Sequence, residues 1–417
     1  MPRWRNGRRS GLKIRFPYGS GGSNPFLGTT LDVILKTPIM NSLDKRISNL
    51  DLIRGIALLG ILGMNAVSFG LPWAAYWNLS AAGSETGIDF AIGIFGEIFL
   101  DQKMMGLFSL LFGTSIVLFV DAAKERGHRR PVLLSARRNL LLFIIGIIHS
   151  LFWSGDVLRL YAICAPIVLL LRNWRPRLLV AFGIFFVIGP ATLTLALQPL
   201  FLSDGSLDMT TNWAMNVTDG IGLGKYWFVG SSTFGATVGL FFLIDNFGRA
   251  LGMMLIGVAL YRMNILQGNR SFRFYRLIAI TGLIIGLPLS SIGTGWLVTS
   301  DFSNTIALVS LIPNTLATIP IVLGYIGLIS IWNSKVKNRL HTHICAIGRM
   351  ALSNYLFQTV LGIVVLRVIF EQGTLSRSQI ALFVVFVWAL QLLWSKPWLD
   401  KFRYGPCEWI LRKLYRR

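Results

Sequence analysis

The chain has 417 residues, of which 53% are apolar and only 14% are charged, and its mean hydropathy is +0.61. Because soluble domains carry roughly 25% charged residues, this composition excludes a soluble enzyme, a disordered tail and a disulfide scaffold. The 40 Lys and Arg against 18 Asp and Glu give a net charge of +22, which in a membrane protein is typical of basic cytoplasmic loops. We therefore expect the lipid bilayer, and no nucleic acid, as a partner.

Residues 1–45 differ from the rest of the chain. The segment is basic and rich in Gly and Ser, and Arg8-Arg9 precedes no hydrophobic signal region. We expect a disordered cytoplasmic arm here. As an alternative, the natural protein begins at Met40.

Residues 46–400 are predicted to form an all-α membrane domain, a polytopic bundle of about ten helices. Each apolar run is expected to be a helix, because a backbone exposed to lipid must satisfy its own hydrogen bonds. A β-barrel would show alternating segments of about ten residues instead. The predicted spans are 52–70, 104–120, 138–153, 157–171, 178–200, 237–262, 277–299, 305–332, 349–370 and 379–395.

The segments that connect these spans alternate in charge. Basic residues precede span one, follow spans two, four, six and eight, and fill the tail at 401–417, whereas the other connections are acidic or nearly neutral. This alternation predicts that both termini lie in the cytoplasm. We interpret residues 228–236 as an interfacial or re-entrant segment that feeds a long sixth helix, because a separate span there would reverse the pattern.

Span one carries a polar stripe. At 100° per residue, Arg54 and Asn65 lie on one face, and Asp51 precedes Arg54 by one turn, so that the two can form an ion pair. Ionisable groups at membrane depth mark functional sites by default, and we interpret the stripe as part of a polar cavity. The alternative is an Arg54 side chain that snorkels to the lipid headgroups.

His149, at the end of span three, is the one histidine in any predicted span. Asp156 follows after a tight turn, and Arg159 comes soon after it. A carboxylate can orient an imidazole and make it more basic, as general acid–base catalysis requires. Alternatively, His149 is a structural residue bonded to a backbone carbonyl.

Two further groups of polar residues lie in apolar surroundings. Glu97 and Asp101 are spaced i, i+4, which on a helix would suit proton transfer or the recognition of a cation, unless they belong to a solvated amphipathic helix. Asn354 and Gln358 share a face of span nine, where amides also commonly bond between helices. Arg349 begins that span at the cytoplasmic rim, where a polyanionic ligand would need fixed cations.

Several motifs resemble the YeiB family of bacterial inner-membrane proteins, which contain the domain of unknown function DUF418. The motifs that carry the resemblance include Asp51-x-x-Arg54-Gly55, Gly155-Asp156, Gly252-Met253-Met254, Gly348-Arg349-Met350-Ala351-Leu352-Ser353-Asn354-Tyr355 and Gly405-Pro406-x-Glu408-Trp409. The resemblance covers about Arg46 to the C-terminus and implies a multi-pass protein of the bacterial cytoplasmic membrane.

The opening Leu50-Asp51-x-x-Arg54-Gly55 is also similar to a wider group of transmembrane acyltransferases, including heparan-α-glucosaminide N-acetyltransferase and the sugar O-acyltransferases. This resemblance implies transfer of an acyl group from cytoplasmic acyl-CoA, a co-substrate, to an extracytoplasmic small molecule or envelope glycan. Those enzymes use a histidine in or just after the first span, whereas residues 65–103 contain none here. If the chemistry is present, His149 has taken that role.

Our leading hypothesis is therefore acyl transfer across the membrane, with His149 and Asp156 as catalytic residues. Two alternatives stay open: a transporter or exporter of a small polar or anionic metabolite, coupled to protons through the acidic pair, and a non-catalytic membrane component. Three widely spaced cysteines indicate no disulfide and no metal site, and no bound cofactor is expected. The candidate substrate-binding residues are Asp51, Arg54, Asn65, Glu97, Asp101, Arg159, Arg349, Asn354 and Gln358.

Overall fold

The computed structural model describes residues 47–202 and 233–416, apart from residues 73, 78, 83, 85 and 303. These residues form helices and no strand, which confirms the predicted all-α membrane bundle. The predicted arm at residues 1–45 lies outside the described residues, as do residues 228–232 of the predicted re-entrant segment. Residues 233–236 of that segment belong to the long helix Thr233–Arg262, which corresponds to the sixth predicted span.

The helices are numbered here in chain order. Single helical turns lie at Ala74–Trp77 and Leu79–Ala82, and π-helical turns at Gly96–Leu100 and Val364–Ile369 continue the helices that end at Phe95 and Ile363. The helices are α1 (Ser48–Gly70), α2 (Gly87–Phe95), α3 (Lys103–Glu125), α4 (Pro131–Ser150), α5 (Leu158–Leu171), α6 (Pro176–Leu202), α7 (Thr233–Arg262), α8 (Phe272–Thr299), α9 (Asn304–Lys335), α10 (Arg339–Arg349), α11 (Ala351–Ile363), α12 (Arg377–Lys401) and α13 (Pro406–Arg416).

Nine helical segments among the described residues are long and apolar enough to cross a membrane, with α2 and α3 counted as one. The remaining predicted span, 157–171, corresponds to α5, whose 14 residues extend about 21 Å at 1.5 Å per residue. A bilayer core is about 30 Å thick. Helix α5 is therefore shorter than a bilayer core is thick.

The helix that leads into α3 is interrupted. After the π-helical turn, the backbone at Asp101 is extended, and Gln102 has a positive φ of 59° before α3 begins at Lys103. Glu97 therefore lies in a π-helical turn and Asp101 at its end, not in one regular α-helix, but the two carboxylates remain close enough to interact electrostatically.

Helix α1 packs at the centre of the bundle, and small residues allow its neighbours to come close. A Cβ atom at Gly55 would collide with the Ile344 carbonyl of α10, and one at Gly348 would collide with the Asp51 carbonyl. The glycines of two family motifs therefore allow α1 and α10 to cross in close contact. The sequence did not predict α10 as a separate helix.

The C-terminal helix α13 is tied to the start of α11. Glu408 Oε1 accepts hydrogen bonds from the backbone N–H groups of Leu352 at 2.7 Å and Ser353 at 3.1 Å. A carboxylate at a helix N-terminus satisfies otherwise unpaired donors and opposes the helix dipole favourably. The Gly405-Pro406-x-Glu408 motif thus holds the tail against the bundle.

Candidate functional site

We call the end of the bundle at which α1 begins the inner end; it is the predicted cytoplasmic end. There Arg54 Nη1 lies 3.4 Å from Asp51 Oδ1, as predicted, and Nη2 donates to Ser115 Oγ of α3 at 2.9 Å. The Arg54 side chain is only 20% exposed. Arg54 therefore points between α1 and α3 and does not snorkel.

The other residue of the α1 stripe stands well apart from Arg54. Asn65 is half-buried, and it follows Arg54 by 11 residues, which correspond to about 16 Å along the helix axis. The structure therefore does not bring Asn65 and Arg54 to one point.

The centre of the candidate site is a buried pair formed by His149 and Asp156. His149 Nδ1 lies 2.8 Å from Asp156 Oδ1, and both residues are more than nine-tenths buried. Tyr355 of α11 donates its hydroxyl to the same carboxylate oxygen at 3.3 Å, and the backbone N–H of Arg159 donates to Oδ2 at 3.0 Å. Asp156 is thus held by three donors from three parts of the chain.

The local sequence explains how α4 and α5 form this pair. Helix α4 ends at Ser150, directly after His149, and the Arg159 N–H that Asp156 accepts lies in the first turn of α5. Gly146 lets the two helices approach, because a Cβ atom there would stand 2.6 Å from the Arg159 backbone nitrogen.

The other imidazole nitrogen of His149, Nε2, indicates what chemistry the pair could perform. His149 Nε2 is buried and has no hydrogen-bond partner among the described residues. When an ionised carboxylate accepts the Nδ1–H, the neutral ring carries its lone pair on Nε2. Aromatic rings enclose the imidazole, with centroids at 5.2 Å for Tyr355 and 6.0 Å for Trp153. Such a nitrogen can accept a proton from a hydroxyl or amine that approaches it.

A second buried polar cluster surrounds the break between α2 and α3. Lys103 is fully buried, and its ammonium group donates to the Glu97 carbonyl at 2.6 Å, to Ser290 Oγ at 3.0 Å and to Asn314 Oδ1. Asn314 Nδ2 in turn donates to Asp101 Oδ2 at 3.1 Å. The sequence indicated the acidic residues but not their partners, which come from α8 and α9.

This cluster satisfies the backbone that the break exposes. Besides the Lys103 contact, the Tyr325 hydroxyl donates to the Phe99 carbonyl at 2.8 Å, and Ser290 Oγ lies 3.4 Å from the Ile98 carbonyl. Non-helical backbone at membrane depth requires such partners. All three ammonium donors of Lys103 are therefore used inside the protein, which indicates that Lys103 has a structural role.

The amides of α11 bond between helices. Asn354 is fully buried and bonds to Ser395 and Trp394 of α12, while Gln358 Nε2 contacts the Leu58 carbonyl and Gln391 Oε1 at 3.3 and 3.1 Å. This geometry favours the interhelical interpretation over substrate binding. Arg349 is half-buried at the end of α10.

Comparison with known proteins identifies relatives over most of the chain. A family model described as "Protein of unknown function (DUF418)" matches residues 260–417. The chain is 32% identical over 380 residues to the uncharacterized protein YeiB of Escherichia coli (strain K12), covering 88% of this chain and 95% of that one.

More distant relatives come from bacilli. The chain is 27% identical over 405 residues to the uncharacterized protein YxaH of Bacillus subtilis (strain 168), covering 88% of this chain and 94% of that protein. It is 26% identical over 381 residues to an uncharacterized 39.9 kDa protein encoded in the amylase 3′ region of Bacillus acidopullulyticus, covering 89% and 94%. No solved structure matches the chain.

Proposed function

The chain belongs to the YeiB family, whose DUF418 region it carries, and we propose that this multi-pass membrane protein transfers an acyl group across the bacterial cytoplasmic membrane. The donor is cytoplasmic acyl-CoA, and the acceptor is a hydroxyl or amine of an extracytoplasmic small molecule or envelope glycan. One observation carries the proposal: the buried pair of His149 and Asp156, with Nε2 left without a protein partner.

The reaction is a single acyl transfer in which His149 moves one proton. Nε2 takes the proton from the acceptor O–H or N–H, and the acceptor atom attacks the thioester carbonyl carbon. The carbon–sulfur bond then breaks, and the coenzyme A thiolate leaves with the proton from Nε2. Asp156 stays ionised throughout and stabilises the imidazolium, as the acidic member of a catalytic triad does.

The charged groups at the inner end suit the donor. Coenzyme A carries several phosphates, and fixed guanidinium groups bind phosphates through paired hydrogen bonds. Arg54, which lies between α1 and α3, and Arg349, at the end of α10, are the residues that we assign to this task.

Transport of a small polar metabolite is the second candidate function. It is favoured by the interrupted helix at Asp101 and Gln102, since many transporters build their binding sites at such breaks. Against it stands the internal use of the Lys103 ammonium group and of the Asp101 carboxylate.

The test uses the purified full-length protein with labelled acetyl-CoA and an envelope fraction. We expect His149→Gln to slow transfer of label by a factor of about 100 or more, which is the usual contribution of a general base. The matched control is His128→Gln, because His128 is exposed, and it should match the wild type. Full transfer by the His149 variant would contradict the assignment. Uptake driven by a pH gradient in proteoliposomes, without acyl transfer, would favour the transporter.

A further inference from the structure

The inward face of α4 carries more polar groups than the proposed base. Ser135, Arg138, Asn139 and His149 leave the helix within about 100° of one another, at 100° per residue. Ser135 and Asn139 are 1% and 4% exposed, so they point into the bundle. Both belong to the part of α4 that begins at the inner end.

Ser135 and Asn139 have no partners for their polar atoms. The Ser135 hydroxyl and both amide atoms of Asn139 are buried and make no hydrogen bond to the described residues. Nearly all buried polar groups in proteins are satisfied, and each exception calls for an explanation. Packing does not explain these two, because an apolar residue of the same size would avoid the desolvation penalty.

Arg138 adds an unbalanced positive charge beside them. Its guanidinium lies 5.1 Å from the centre of the Phe119 ring, near Tyr415, and close enough to Arg54 for the two cations to repel. None of the ion pairs between described residues involves Arg138. The guanidinium groups of Arg138 and Arg54 therefore lie near each other at the inner end.

We propose that Arg138, Arg54, Ser135 and Asn139 form a binding site for a phosphate-bearing ligand at the inner end of the bundle. An arginine fork matches two phosphate oxygens, and a hydroxyl and an amide NH₂ supply further donors. A bound phosphate would explain both the cation pair and the unpartnered donors. The phosphate site extends the proposed function, and only the identification of the ligand as the acyl donor rests on that function.

The first experiment measures pyrophosphate binding to the full-length protein in phosphatidylcholine nanodiscs by calorimetry. Arg138→Gln should weaken binding about tenfold or more, because it removes charge-assisted hydrogen bonds. The matched control is Arg137→Gln, which removes the same charge from an exposed neighbour and should change affinity less than about twofold. Equal effects of the two variants, or no binding by the wild type, would overturn the proposal.

A second variant keeps the proposal testable if Arg138→Gln does not fold. Asn139→Leu removes the unpartnered amide at nearly constant volume, so it should raise the melting temperature of the ligand-free protein and weaken pyrophosphate binding. A lower melting temperature together with unchanged binding would mean that Asn139 is a structural residue, and this would also overturn the proposal.

The phosphate could come from a soluble ligand or from a lipid headgroup. Nanodiscs that contain phosphatidylglycerol distinguish the two, because competition with pyrophosphate that depends on Arg138 and not on Arg137 would identify a lipid phosphate at the same site. Binding without any acyl transfer would support the site and contradict the proposed function. Acyl transfer that survives loss of binding would overturn the site alone.

Discussion

At His149, one ring nitrogen is committed to a carboxylate and the other is buried without a protein partner. The carboxylate of Asp156 is fixed in turn by the Tyr355 hydroxyl and by the first turn of α5. Removing one partner of such a network leaves the others unsatisfied in a low-dielectric setting. A substitution of Asp156 that removes its charge and preserves its shape therefore tests the carboxylate without removing the imidazole of His149.

We predict that Asp156→Asn lowers the rate of acyl transfer by a factor of about 100 or more, since the amide cannot stabilise an imidazolium and favours the wrong tautomer. The measurement is the initial rate of label transfer by the purified protein. The control is Asp301→Asn, because Asp301 is exposed and its positive φ of 53° suits asparagine. A rate near the wild-type value in the Asp156 variant would show that the carboxylate does not serve catalysis.

The pairing of His149 with Asp156 could be predicted from the sequence, because the two residues are seven positions apart and are joined by a tight turn. Sequence reasoning could not find Tyr355, which is brought to Asp156 from a helix 199 residues later. It also passed over Ser135 and Asn139, since a buried polar residue is informative only when its partners, or their absence, are known. Pairings between distant helices require coordinates.

At the scale of helices, the break between α2 and α3 depends on one lysine. Lys103 donates to a backbone carbonyl and to side chains from α8 and α9, so it links three segments at membrane depth. Apolar runs predicted the spans because lipid imposes them. They could not predict α10, which is amphipathic, or the partners that close the break.

Lys103→Met should destabilise the protein while leaving the shape of the side chain nearly unchanged. Three acceptors would lose their donor in a buried site, and we expect the free energy of unfolding to fall by about 3 kcal/mol. Thermal unfolding in detergent measures the change. Lys124→Met, at an exposed position near the other end of α3, is the control. Equal melting temperatures for the two variants would refute the structural role of Lys103.

The contact between α13 and α11 can be followed through Cys407. Burial and the nearby Glu408 carboxylate raise the pKa of the Cys407 thiol above its ordinary value, although a hydrogen bond with Ser353 opposes this. Little reactive thiolate is therefore present at pH 7 to 8. The thiol should react slowly with a maleimide reagent while the helix is docked.

We predict that Glu408→Gln speeds maleimide labelling of Cys407 severalfold. Loss of the negative charge lowers the pKa of the thiol and increases the thiolate fraction, and weaker capping of α11 exposes the sulfur. The assay uses a chain in which Cys164 and Cys345 are replaced by alanine. Glu125→Gln, at an exposed position, should leave the labelling rate unchanged, and an equal rate in both variants would contradict the capping role of Glu408.

At the scale of the whole molecule, the buried polar residues form separate clusters along the bundle. Arg54 and Arg138 lie toward the inner end, His149 lies at the opposite end of α4 beside the turn to α5, and the Lys103 cluster closes a helix break. The fold class could be predicted from hydropathy alone. Which of these polar clusters are connected depends on how the helices pack, and sequence periodicity does not reveal that packing.

The proposed donor site implies a direction for the proposed transfer. A donor bound at the inner end would present its thioester to His149 from one side, and the acceptor would arrive from the other. The proposed reaction is therefore vectorial, and the acyl group alone changes sides. A mere esterase or a metabolite carrier would not have this property.

The most direct test uses proteoliposomes with labelled acetyl-CoA outside, an envelope-glycan fraction enclosed, and the protein in its wild-type, His149→Gln or His128→Gln form. The account predicts that the acyl label accumulates covalently on the enclosed fraction with the wild type and the His128 variant, while coenzyme A stays outside, and that the His149 variant transfers about 100-fold less. Label that stays outside with the wild type, or that crosses equally well without His149, would contradict it.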